Sequence, residues 1–201
     1  MTDLLQAIEV ETAPTPDATV IWMHGLGDTG DGWSEIVSSL GLPASMRMRF
    51  LFPHAPKIPV SINNGLVMPA WYDFKEADFS ARADLPGVRR SQAEVEALID
   101  RERGRGVADA RIVLAGFSQG GALALYAGLR HPQRLAGIVA LSTYLIDGGS
   151  LAVEASPANR DVPIFMAHGT RDPVVRFEWA DQSRKALDVG GWNVEWHTWP
   201  M

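Results

Sequence analysis

Cysteine is absent from all 201 residues, which excludes a disulfide framework, a thiolate metal site and a cysteine nucleophile. Any covalent catalysis has to use another side chain. The five histidines show no close metal-ligand pairing, so nothing calls for a metal or a cofactor. No apolar run approaches the roughly 20 residues that span a bilayer. The N-terminus, Met1-Thr2-Asp3-Leu4-Leu5-Gln6, carries an acid where a secretory signal carries Lys or Arg. Positive charge is scarce as well. With Lys+Arg 18 against Asp+Glu 24, the net charge is -6 and no basic stripe exists, which argues against nucleic acid as a partner. These absences describe a soluble, cytoplasmic protein. With 46% hydrophobic residues and neither linker nor repeat, a single domain over residues 1–201 is expected.

What is present is an alternation of strand-like runs and helical patterns, the signature of an α/β layer protein with a mainly parallel sheet. Thr19-Val20-Ile21-Trp22-Met23 reads as the first buried strand. Trp33, Ile36, Val37 and Leu40 follow at helical spacing, and residues 48–52 read as the next strand. Between Pro53 and Leu85 periodicity fails, which predicts a long excursion over the sheet. Pro86 opens an amphipathic helix that ends near Gly104. Strands are expected at residues 111–115, 136–142, 163–169 and 193–199, with helices over about 121–130 and 176–189.

Gly116-Phe117-Ser118-Gln119-Gly120 lies directly between the strand Arg111-Ile112-Val113-Leu114-Ala115 and a helix-like Ala/Leu segment. Such a strand-to-helix turn is so sharp that the central serine takes strained backbone angles, and glycines two places to either side remove β-carbons that would collide. The hydroxyl then stands clear of the sheet at a helix N-terminus, where backbone N–H groups favour a developing negative charge. Ser118 is the candidate nucleophile.

A serine nucleophile needs an orienting acid, a base and oxyanion donors. Asp172 lies just past the carboxyl end of a buried strand, the edge where such sheets gather their sites; Asp147 and Asp161 do not directly follow one. His24-Gly25-Leu26-Gly27-Asp28 follows the first strand and matches the HGGG-type segment whose backbone completes an oxyanion hole. The Leu26 and Gln119 N–H groups are therefore the candidate donors, with His24 bonding the loop rather than acting as base.

Six segments in order across the chain resemble the bacterial carboxylesterases and acyl-protein thioesterases, the phospholipase/carboxylesterase family of the α/β-hydrolase fold. They are His24-Gly25-Leu26-Gly27-Asp28-Thr29-Gly30, Pro53-His54-Ala55-Pro56, Pro69-Ala70-Trp71-Tyr72-Asp73, Gly116-Phe117-Ser118-Gln119-Gly120-Gly121, Leu141-Ser142-Thr143-Tyr144 and His168-Gly169-Thr170-Arg171-Asp172. The resemblance implies a single α/β-hydrolase domain with helices on both faces of the sheet. It implies Ser118 as nucleophile, Asp172 as triad acid, Leu26 and Gln119 as oxyanion donors, and Leu66, Val67, Met68 and Trp71 as a shallow acyl groove. The substrate would be a small-molecule or lipid acyl ester or thioester, split through an acyl-serine intermediate. An exposed apolar patch beside that groove would permit a homodimer.

In the relatives the last strand runs into a Gly-His that supplies the triad base, followed by a covering helix, whereas here Trp199-Pro200-Met201 stands at that point. The expectation is a chain that lacks the C-terminal helix and the catalytic-histidine loop, and that hydrolyses esters very slowly on its own. His197, the one histidine after Asp172, falls inside a strand pattern and is read as a surface or packing residue. Two other readings stay open: a non-catalytic acyl-binding module that has lost its base, and an enzyme directed at lysophospholipids or lipidated proteins.

Overall fold

A computed structural model describes residues 4–75 and 84–201. Its centre is a seven-stranded sheet formed by β1 (Ala7–Glu11), β2 (Ala18–Met23), β3 (Met48–Pro53), β6 (Ile112–Phe117), β7 (Gly137–Leu141), β8 (Ile164–Gly169) and β9 (Val194–Trp199), and β4 (Lys57–Val60) and β5 (Leu66–Pro69) make a separate hairpin. The order across the large sheet is β1-β3-β2-β6-β7-β8-β9. Every neighbouring pair is parallel except β1 with β3. The helices are α1 (Asp31–Ser34), α2 (Ile36–Ser39), α3 (Leu85–Gly104), α4 (Gln119–Arg130), α5 (Leu151–Glu154) and α6 (Phe177–Val189).

Two apolar layers hold this together, because alternate residues of each strand point to opposite faces. On one face Ile21, Leu51, Leu114 and Ile138 pack with Val95 and Leu98 of α3 and Leu123 and Leu125 of α4. On the other, Val20, Trp22, Phe50 and Phe52 pack with Val37, Trp33 and Ile36 of the α1–α2 segment. The glycine-rich α4 is buried on all sides, which its small residues permit. A β-carbon on Gly128 would come within 2.6 Å of Ile138 Cδ1.

Three expectations are corrected. The helix read from Trp33 to Leu40 is two single turns joined at Glu35, since the Trp33 indole is bonded back to Asp28 (2.8 Å) and no long apolar stripe holds a continuous helix there. A strand precedes the one read as first: Ile8 and Val10 pack inward on β3, while Glu9 and Glu11 face Arg49. The aperiodic excursion contains the β4–β5 hairpin, whose prolines hide its strand character. Residues 76–83 of that excursion lie outside the described residues.

Candidate active site

From β2 the chain crosses to β3 on one side, then returns to place β6 on the other, so the connections diverge at the β2/β6 boundary. Open α/β sheets bind ligands at this switch point, outside the carboxyl ends of the strands. The segment 24–27 leaves β2 there, and Ser118 leaves β6 beside it.

Ser118 has φ 52° and ψ -119°, a strained conformation for a residue with a β-carbon, and caps the 12-residue α4. The flanking glycines make it feasible. A β-carbon on Gly116 would sit 2.3 Å from the Gly120 carbonyl, and one on Gly120 would sit 2.1 Å from the Met23 oxygen. The end of β7 clamps the turn: Ser118 N donates to Leu141 O (2.8 Å) and Thr143 Oγ1 donates to Ser118 O (2.7 Å). Between those two contacts Ser142 is itself forced to φ 46°.

Ser118 opens into a cleft of about 320 Å³ whose walls include Leu26, Phe117, Asp172, Val174 and Val175. The candidate nucleophile Ser118, the candidate acid Asp172 and one proposed oxyanion segment therefore share one cavity. Gly25 lies so close that a β-carbon there would be 3.6 Å from Ser118 Cβ. Among the described residues neither Leu26 N–H nor Gln119 N–H donates a hydrogen bond; Leu26 lines the cleft, whereas Gln119 is completely buried directly behind Ser118. Asp172 is held by its own turn: Oδ1 accepts from Val174 N (2.8 Å) and Val175 N (3.0 Å), while Oδ2 lies 3.7 Å from His168 Nε2. That His168 nitrogen donates to Val175 O (2.8 Å), which fixes the far side of the loop.

Among the described residues no histidine lines the cleft. His54 Nδ1 accepts from Gly30 N (3.2 Å), and His131 pairs with Glu96 (2.7 Å). His197 bonds Glu195 (2.9 Å) and stacks between Phe165 and Trp199 on the sheet surface. His24 is fully buried; its Nδ1–H donates to Gly25 O (2.7 Å) and its Nε2 accepts from Ala55 N (3.1 Å). Burial holds its pKa below the ordinary imidazole value of 6.5. The consequence for stability has a definite sign. Below about pH 6.5 the unfolded chain takes up a proton that the folded chain refuses, so stability is present above that pH and is lost as the pH falls. The melting temperature is expected to fall between about pH 7 and pH 5, more shallowly in His24→Gln, whose amide takes up no proton in this range. An equal slope in both proteins would remove His24 from this account.

The residues proposed for an acyl groove are separated. Leu66 and Val67 project into solvent from the hairpin, with 62% and 59% of their surface exposed, and neither they nor Met68 line the Ser118 cleft. Met68 Sδ instead approaches Gly27, where a β-carbon would meet it at 3.8 Å. Trp71 is completely buried, and its indole N–H donates to His24 O (2.9 Å). Besides Leu26, the cleft's apolar walls include Phe117, Val174 and Val175, which sequence reasoning missed; Val174 and Val175 follow Asp172 by two and three residues, and that adjacency was the available signal.

The phospholipase/carboxylesterase family model matches residues 6–201. The chain belongs to this family. It is 44% identical over 191 residues to acyl-protein thioesterase 1 of Neurospora crassa, an alignment covering 91% of this chain and 78% of that protein. Also over 191 residues, it is 41% identical to acyl-protein thioesterase 1 of Gibberella zeae, covering 91% of this chain and 81% of that protein. Among solved structures, Arabidopsis thaliana SOBER1 superposes with a TM-score of 0.85 at 32% identity, covering 90% of this chain and 88% of that one. The family has the α/β-hydrolase fold seen here, and membership makes the chain a hydrolase of the esterase and thioesterase class. Among the described residues no helix is long and apolar enough to cross a membrane, and no group of three or more His, Asp or Glu is placed to hold a metal ion.

Proposed function

We propose that this chain is a serine hydrolase for carboxylic esters or thioesters, with Ser118 as nucleophile, Asp172 as the acid that orients and balances the base, and Leu26 N–H and Gln119 N–H as oxyanion donors. The observation that carries the reading is the strained Ser118 elbow at the β2/β6 switch point, opening into the cleft that Asp172 also lines. The similarity to acyl-protein thioesterases supports an acyl thioester on a protein as one substrate, and the apolar walls of the cleft suit an alkyl chain. Ser118 Oγ attacks the carbonyl carbon and its proton passes to a base. The tetrahedral oxyanion then collapses, the alcohol or thiol leaves with that proton, and water releases the acyl group from Ser118.

Among the described residues no histidine lines the cleft, so on this reading no imidazole stands beside Ser118 to take its proton. Both steps are slowed, and an acyl-enzyme made from an activated ester such as p-nitrophenyl butyrate should persist long enough to be weighed. Added imidazole should enter the cleft beside Ser118 and Asp172 and accelerate turnover by about 10-fold or more, part of the roughly 10²–10⁴-fold that a positioned general base supplies. Asp172→Ala should cancel most of that acceleration. Intact-mass spectrometry and a stopped assay read both quantities. An acyl group carried on another residue, or tight fatty-acid binding with no adduct at all, would overturn the hydrolase reading in favour of an acyl-binding module.

A further inference from the structure

The two N–H groups assigned to the oxyanion come from segments far apart in sequence, and both segments are fastened to the same short stretch, residues 69–72. On the β2 side, Gly27 N donates to Pro69 O (2.8 Å) and Trp71 Nε1 donates to His24 O (2.9 Å), so bonds flank Leu26 on both sides. On the α4 side, the carboxamide of Gln119 accepts from Trp71 N (2.9 Å) and donates to Tyr72 O (2.7 Å), so the residue that offers the second donor grips the same stretch with its own side chain. The stretch is anchored from behind by Ser91 Oγ, which donates to Trp71 O, and by Ala70 N, which donates to Pro56 O (3.0 Å). Gln119, Trp71 and Tyr72 are completely buried, so the bonds of the Gln119 carboxamide to Trp71 and Tyr72 do not compete with solvent, whereas the Gly27–Pro69 bond lies nearer the surface, where Gly27 is exposed.

We propose that Trp71 is a positioning residue for the oxyanion hole: its backbone and indole N–H groups bridge the Gln119 carboxamide to the His24 carbonyl and so fix the separation of the Leu26 and Gln119 donors. The inference rests on the hydrolase reading above and adds a residue that touches neither substrate nor nucleophile. Its physical basis is the narrow tolerance of such holes, which work only when both donors lie about 2.7–3.1 Å from the oxygen. Without the indole bond the His24 carbonyl loses its partner in a dry site, and the segment 24–27 is free to relax away from α4.

The test uses the full chain acylated at Ser118 with p-nitrophenyl butyrate carrying carbon-13 at the carbonyl. Isotope-edited infrared spectroscopy reads that carbonyl directly, and donors held at the oxygen lower its stretching frequency. Wild type is expected to show a band below that of the same acyl-enzyme in denaturant. Trp71→Phe keeps an aromatic ring, though a smaller one, and removes the indole N–H, and should lose at least half of that downshift. Gln119→Met, which retains the backbone donor and removes only the carboxamide, should do the same from the other end of the bridge, and serves if Trp71→Phe fails to fold. A purely structural role would lower the melting temperature and leave the band in place, so an unmoved band in an acylated variant overturns the proposal. Acylation of wild type without any downshift overturns the oxyanion assignment. Absence of an adduct at Ser118 overturns the parent reading, and this inference with it.

Discussion

Ser118→Ala is expected to abolish the acyl adduct and to lower imidazole-supported ester hydrolysis by about 10³-fold or more, the loss that follows removal of a nucleophile that acts as a unit with its base. A second serine in the same cleft makes the comparison sharp. Ser142 also has a positive φ, 46° against 52° for Ser118, and it stands at the end of the neighbouring strand. Only Ser118 caps a 12-residue helix whose first N–H groups and dipole stabilise charge beside it. Ser142 begins no helix, and its N–H, like that of Ser118, is spent on the neighbouring strand, at Ala167 O (2.8 Å). Ser142→Ala should therefore still become acylated at Ser118. Peptide mapping of the adduct in the two variants is the measurement. A label on Ser142, or an adduct that survives in Ser118→Ala, would transfer the nucleophile assignment away from the elbow.

The parts of the site that were readable in the sequence are those where one residue's backbone geometry demands a residue type nearby. Glycines at positions 116 and 120 around a serine, between a β-branched strand and an Ala/Leu helix, leave little alternative to a tight turn. An aspartate three residues after a strand-ending glycine falls at the sheet's carboxyl edge by the same local logic. Residues whose role depends on what lies across space were not readable. Trp71 sits in an aperiodic stretch, and nothing in its neighbours announces that its indole reaches His24, 47 residues earlier. β1 was passed over although Ile8 and Val10 alternate with Glu9 and Glu11, because a five-residue strand with two acids scores as loop until Arg49 and Arg105 supply the partners for those acids. The hairpin residues Leu66 and Val67 were assigned to a groove by resemblance, but sequence order cannot say on which side of a hairpin a side chain emerges. The strand pattern that demoted His197 was informative, since period-2 alternation places it on the sheet surface.

Gly120→Ala is expected to cost more than about 3 kcal/mol, beyond the usual 1–3 kcal/mol of an overpacked core, because the added carbon meets main chain rather than a side chain that can turn away. Its nearest contacts would be Met23 O at 2.1 Å and His24 O at 2.5 Å, so relief requires the end of β2 to withdraw from α4. That movement would pull the segment 24–27 off Ser118 and part the two oxyanion donors, so acylation should disappear along with the stability. Gly149→Ala provides the control: nothing lies within 4 Å of a β-carbon there, φ is not positive, and the substitution should be neutral or stabilise by a few tenths of a kcal/mol through the unfolded chain. Urea unfolding followed by far-UV circular dichroism measures both variants on one scale. A Gly120→Ala protein as stable as wild type and still acylated at Ser118 would mean that the elbow and β2 are not packed backbone to backbone. The Ser118 hydroxyl would then not be raised into the cleft by forced geometry.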